Sequence, residues 1–247
     1  MGNSLVRVFK ESAKSLINNP LFFVPPVVSI VFLTLLSMFS IKINYIIGNS
    51  NSFLITGWYI AFSLVSLLGL SYLFSGLIAM CFSSVKGKVR ARDFFSGANK
   101  YWLKNFIILL IIVVCYDVLN IIAIYGTYYL GKSIGLSLLL ARFLFFFIFF
   151  AGLIGGIIFL TFSNFFLIYE NPGILKSIRK SAGFVSNNYL SVLAIIIAFF
   201  VILQIISYIG PFEIGGLSLT ELISNIIIYP YLALVLARFL YERKEKK

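Results

Sequence analysis

Six long apolar runs, at about residues 20–40, 54–83, 105–130, 138–168, 189–210 and 218–240, constrain this chain more than any other feature. A helix needs roughly 20 apolar residues to cross a bilayer. In lipid, only helices and closed barrels satisfy their own backbone hydrogen bonds, and runs this long specify helices. With 61% hydrophobic and 11% charged residues, the chain lies far from a soluble domain, where charge is about 25%. The expected fold is an all-α membrane protein with six transmembrane helices, a single polytopic domain over 1–247 with no room for a separate soluble one.

The breaks between runs are Lys42–Ser52, Lys86–Lys104, Gly131–Gly135, Glu170–Asn188 and Gly210–Gly216, and the even-numbered ones are long and basic. With both termini on one side, that side receives all but Lys42, Lys132 and Arg142 of the 20 Lys and Arg. This is the positive-inside pattern. It predicts a multi-pass protein of the cell membrane with cytoplasmic N- and C-termini. No cleavable signal peptide is expected, because about 20 polar or amphipathic residues precede the first run. The net charge of +12 does not predict nucleic acid, which needs a basic face on a soluble fold. The expected partners are anionic headgroups of the bilayer and a membrane or cytoplasmic protein.

An internal repeat follows from placing Asn18-Asn19 over Asn187-Asn188. Leu5–Leu21 then aligns with Ile174–Leu190 without a gap, with Ser12, Ala13, Asn18, Asn19 and Leu21 on identical residues. A fainter copy runs from Ala91 to Ile107, where Phe95, Lys100, Leu103 and Asn105 fall on Phe9, Lys14, Ile17 and Asn19. Two spans follow each copy. The chain reads as three parallel units, about 4–88, 89–170 and 171–247, each an amphipathic interfacial helix plus a transmembrane hairpin.

In the third unit, Asn171 reads as an N-cap and Pro172 as the first helical position. At about 100° per residue, Ile174, Leu175, Ile178, Ala182 and Val185 form one stripe opposite Lys176, Arg179 and Lys180. In the first unit Leu5, Phe9, Ala13 and Leu16 oppose Arg7, Lys10 and Lys14, and the second unit carries Lys100 and Lys104. Helices of this kind lie in the interface plane. Their basic faces either attract anionic headgroups, at about 1 kcal/mol per residue, or serve as connectors whose charge fixes topology.

Ionisable groups within the apolar runs are few. Asp117 lies well inside the third span and Arg142 about one turn into the fourth, and a charge at such depth marks a cavity or a partner. An Asp117–Arg142 ion pair is predicted, as either a gate or a lock on the second hairpin. Asn120, Asn164, Gln204, Ser224 and Asn225 read as interhelical hydrogen-bonding groups, while Glu213 and Glu221 fall at the loop before the sixth span. Gly152 and Gly156 present a small-residue packing face. Pro25, Pro26 and Pro230 bend or break their helices, and the phenylalanine run Phe143–Phe150 forms a lipid-facing or interhelical surface.

The segments SIRKSAGFVSNNYLSVL and FKESAKSLINNPLFFVPPVV resemble those of uncharacterised six-helix membrane protein families of archaea and bacteria. They are also similar to the membrane domain of some glycerophosphodiester phosphodiesterases. In those families stretches such as Ser177–Ser181, followed by an Asn before a span, recur between hairpins. The resemblance implies a shared membrane architecture and assigns no activity or functional residue.

His is absent, and no HExxH, GxSxG or GxxxxGK[ST] motif occurs, so neither catalysis nor a cofactor or metal is expected. Two classes remain. One is a structural or partner-binding membrane subunit. The other is a transporter, channel or lipid-handling protein with a cavity near Asp117 and Arg142.

Overall fold

The computed structural model describes residues 2–47, 52–87, 89–134, 137–208, 213–214 and 217–245. Lys88, Lys246 and Lys247 therefore lie outside the described residues, as do Gly135, Gly210 and Gly216 of the expected breaks. The elements are α1 (Gly2–Asn18), α2 (Val24–Ile47), α3 (Ser52–Lys86), α4 (Ala91–Ile134), α5 (Leu138–Gly155), α6 (Ser163–Glu170), α7 (Ile174–Asn187), α8 (Tyr189–Ser207), α9 (Leu219–Ile223) and α10 (Tyr229–Glu245). A two-residue antiparallel ladder, β1 (Glu213–Ile214) with β2 (Leu217–Ser218), precedes α9. Six helical stretches are long and apolar enough to cross a membrane: Pro20–Ile43, Thr56–Lys86, Ala91–Leu130, Leu140–Glu170, Tyr189–Ser207 and Leu219–Glu245. The chain is a multi-pass, helical membrane protein.

Asparagine marks two helix ends in the same way. Asn19 donates from its side-chain amide to the Ser15 carbonyl at 2.9 Å, and Asn188 donates to the Phe184 carbonyl at 3.0 Å. Each amide takes a carbonyl of the last turn that has no intrahelical partner, and a short break follows before α2 and α8. Pro20 after Asn19 adds a residue that cannot donate to a continuing helix.

The expected break through Lys104 is shorter than the sequence suggests. Helix resumes at Ala91 and runs unbroken to Ile134, 44 residues in all. At about 1.5 Å per residue α4 is about 66 Å long, well beyond the roughly 40–45 Å of a bilayer with its headgroups. The basic segment around Lys100 and Lys104 is thus the first turns of α4 and not a separate interfacial helix. It is held against α3: Gly97 leaves room only for Ala79, Gly76 seats the Phe94 ring, and Tyr72 donates to Asn99 Oδ1 at 2.9 Å. Phe106 stands where the first unit has Pro20, so nothing stops the helix. Asn105 donates to the Ser71 carbonyl on α3 at 3.0 Å instead of closing its own helix.

The start of α7 also differs. Asn171 closes α6 in the left-handed conformation (φ 52°, ψ 44°), with its N–H bonded to the Leu167 carbonyl, and α7 begins at Ile174 after Gly173 (φ 89°). Asn tolerates the left-handed region at a helix C-terminus, and Pro follows because it cannot extend the helix. Asn-Pro-Gly is a stop followed by a restart.

The core centres on α1, α3, α6, α7 and α10, where Phe22, Ile78, Phe162, Phe165, Phe166, Leu234 and Leu240 are fully buried. First and last helices meet there: Tyr231 donates to the Phe9 carbonyl at 3.1 Å and the two rings meet edge-on. The buried line of α1 is Val8, Ser12 and Leu16, and that of α7 is Ser177, Ser181 and Val185. Both are rotated from the expected apolar stripes, and Leu175 is 80% exposed. Small serines occupy the closest approach because larger side chains would hold the helices apart.

Candidate functional site

The fourth and sixth spans are interrupted, and the proline-bearing start of the first span lies beside both interruptions. In the first, Pro25 and Pro26 are buried in the opening turn of α2, where missing N–H groups cost least. In the fourth, α5 stops at Gly155, Gly156 caps it, a 3-10 turn covers Ile157–Leu160, and helix resumes at Ser163. Gly152 packs against Leu119, while Gly156 starts the break.

A break inside an apolar run leaves backbone groups that lipid cannot satisfy. Here α7 and α8 supply the partners. Ser181 accepts from the Phe162 N–H at 3.1 Å and donates to the Phe159 carbonyl at 2.6 Å, and Tyr189 donates to the Ile154 carbonyl at 3.3 Å.

In the sixth span, Ser218 and Glu221 form a reciprocal capping box on α9. A π-helical turn over Ser224–Ile228 follows, closing with the Tyr229 N–H on the Ser224 carbonyl. The wider turn accommodates Pro230, whose ring would crowd the carbonyl four residues back in a regular helix.

Between these interruptions lies a partly open cavity of about 500 Å³, bounded by Pro25, Pro26 and Ser29 of α2, leucines of α3, Leu109 and Ile112 of α4, Thr161, Asn164 and Phe165, and Asn225, Tyr229, Pro230, Leu232, Ala233 and Leu236. All three predicted kink prolines line it. Ser29 is committed to the Pro26 carbonyl at 2.7 Å and the Asn225 amide to the Glu221 carbonyl at 2.8 Å. Asn164 is 3% exposed and its Oδ1 has no hydrogen-bond partner among the described residues. Asn164 reads in the sequence as one scattered polar residue among several, and only its position beside the broken span sets it apart.

Asp117 and Arg142 are not brought together. Both side chains are exposed, and no ion pair joins them among the described residues. The reason is hairpin register. Leu119 faces Gly152 and Gly126 faces Ile148, which sets Arg142 level with Tyr129 or just beyond it. Asp117 lies about twelve residues, or about 18 Å, away along the axis. Neither residue lines the cavity, so the expected cavity near that pair is displaced to the proline-kinked region. Asn120 is half-buried on α4, and Gln204 is exposed on α8, where its carbonyl accepts from Ser207. In the aromatic run, Phe143, Phe146, Phe147 and Phe150 face outward while Phe145 and Phe149 stack on one another.

The basic residues divide into two sets. Arg7 pairs with Glu11 at 2.8 Å, and Glu11 also pairs with Arg238, which donates to Ser15 at 3.0 Å, so α1 is tied to α10. Glu170 joins Lys180 of α7 and Lys244 of α10. The hydrogen bond from Arg7 holds the Glu11 carboxyl below its ordinary value, against burial that raises it and with added help from Arg238. Lys104 reaches Asn171 Oδ1 at 3.4 Å and Lys100 lies over the Tyr101 ring. Lys10, Lys14, Lys176 and Arg179 are exposed and form no ion pair among the described residues.

No family model, curated protein or solved structure matches the chain.

Proposed function

We propose that the protein is a non-enzymatic, partner-binding subunit of the cell membrane, docking a membrane helix against the outward face of α4. The observation that carries this reading is Asp117. It is exposed at membrane depth and forms no ion pair among the described residues, and it lies among the exposed apolar residues Val113, Val114, Val118, Ile121 and Ile122. A carboxylate facing lipid costs about 2.5–3.5 kcal/mol on insertion scales. A partner helix with Lys or Arg at the same depth removes that cost, which gives the partner its chemistry. A second copy in the same orientation offers its Arg142 about 18 Å too far along the axis, so the partner is a different protein.

Both termini face the cytoplasm in this reading, and Lys10, Lys14, Lys176 and Arg179 meet anionic headgroups there. Three repeated units, about 4–88, 89–170 and 171–247, underlie the architecture. The matching amide bonds of Asn19 and Asn188, and the burial of Ser12, Ala98 and Ser181 at aligned positions, support this. The resemblance to six-helix membrane families adds architecture alone.

The test is purification of the full chain from its native membrane, with and without Asp117→Leu. A stoichiometric membrane partner retained by the parent and lost from the variant is expected. The same composition in both would contradict the reading. The alternative, a transporter, channel or lipid-handling protein, gains from the cavity at the kinked spans rather than from Asp117 and Arg142.

A further inference from the structure

The cavity between α2, α3, α4, α6 and α10 lies apart from the outward face of α4, and its chemistry specifies its own occupant. We propose that it binds a neutral long-chain lipid carrying a hydroxyl or carbonyl group. The chain lies on Leu73, Leu77, Leu109, Leu232 and Leu236, and the polar group meets the Asn164 carboxamide.

Three observations choose this occupant. First, no charged side chain lines the cavity, so an ionised headgroup would lose its hydration without compensation. Second, among the polar side chains of the wall the Ser29 hydroxyl and the Asn225 amide are already bonded to backbone carbonyls and Thr161 and Tyr229 are not buried, whereas Asn164 Oδ1 is buried and without a partner among the described residues. A carboxamide offers an acceptor and two donors, which suits one hydroxyl or carbonyl and leaves nothing for a charge. Third, the volume is about 500 Å³. A helix of about 10 Å diameter rising about 1.5 Å per residue fills about 120 Å³ per residue, so only about four residues of a partner helix would fit. Water can sit beside the polar side chains, but most of the wall is leucine, proline and phenylalanine and offers it no partner. In a bilayer the abundant apolar molecule is lipid, and the proline and π-turn interruptions hold the helices apart where its chain would lie.

Two photoactivatable probes test the site on the full-length protein in nanodiscs: a long-chain alcohol with a diazirine in its chain, and the matching alkane. The alcohol is expected to label the segments around residues 67–77 and 232–236 at about tenfold lower concentration than the alkane, the worth of one hydrogen bond in an apolar site. Asn164→Leu is expected to bring the alcohol to the level of the alkane. Ala233→Trp, which fills the cavity, is expected to remove labelling of both segments while outward-facing Phe147 stays labelled. Asp117→Leu should leave cavity labelling unchanged, which separates this site from the partner face. Equal labelling by alcohol and alkane in the parent protein would overturn the polar contact with Asn164. Cavity labelling that survives Ala233→Trp would overturn the site itself.

Discussion

The Ser181 hydroxyl of α7 accepts the Phe162 amide hydrogen at 3.1 Å, in the middle of a break in the fourth span. The same oxygen donates to the Phe159 carbonyl at 2.6 Å, so one serine satisfies both sides of the interruption. A helix that packs beside the span therefore also completes its backbone.

That relationship makes Ser181 more important than its size suggests. Ser181→Ala strands a buried N–H and a buried carbonyl, and is expected to cost about 1–3 kcal/mol. Thermal unfolding in mild detergent measures it. An unchanged midpoint would mean that the break is satisfied some other way.

Close packing of α3 on α4 predicts a contrast between two glycines. At Gly97 an added Cβ meets the Ala79 Cβ and crowds the Ser75 carbonyl, neither of which can swing aside. Gly97→Ala is expected to destabilise by about 1–3 kcal/mol through overpacking. At Gly183 on α7 an added Cβ meets nothing within 4 Å, so Gly183→Ala should stabilise by about 0.5–1 kcal/mol through helix propensity. Unfolding midpoints that move in the same direction for both variants would contradict the packing described.

Glu11 predicts a pH dependence. Its carboxyl is held below the ordinary value of roughly 4.3, first by the hydrogen bond from Arg7 and then by Arg238, against burial. A carboxyl depressed in the folded state adds stability above its unfolded pKa and loses it as pH falls through the folded one. The α1–α10 contact should weaken below about pH 4.3. The contribution is at most about 1 kcal/mol, because the side chain is partly open to solvent screening. Hydrogen exchange of α1 between neutral and acidic pH is the measurement. Glu11→Gln should already show the faster exchange at neutral pH and lose the acid-induced increase.

Much of this architecture is legible in the sequence, and the misses have physical causes. Apolar runs locate five of the six spans to within about five residues, as at Tyr189–Ser207, because hydrophobic length is a local property, while the third begins at Ala91, well before the expected 105. The Asn18-Asn19 and Asn187-Asn188 pairs likewise mark breaks, since their amide bonds stay within one turn. The register between helices is a tertiary property. It separates Asp117 from Arg142, and comparing their depths from opposite helix ends hides the 18 Å offset. Asn171 fits both an N-cap and a left-handed stop, and its own φ of 52° decides for the stop. The broken fourth span reads as a packing face because Gly155-Gly156 is compatible with either, and Ser181, which makes the break tolerable, lies in another helix. Asn164 gains its significance only from two distant interruptions and the proline-bearing start of α2 meeting around it.

The partner-docking reading is tested most directly by charge exchange at the α4 face. A photocrosslinker at Ile121, one turn from Asp117 on the same face, identifies the partner helix and the basic residue at matching depth. Asp117→Lys should abolish the adduct, and the reciprocal basic-to-acidic change in the partner should restore it. An adduct that persists through Asp117→Lys, or one that the reciprocal change fails to rescue, would contradict a partner held by this carboxylate.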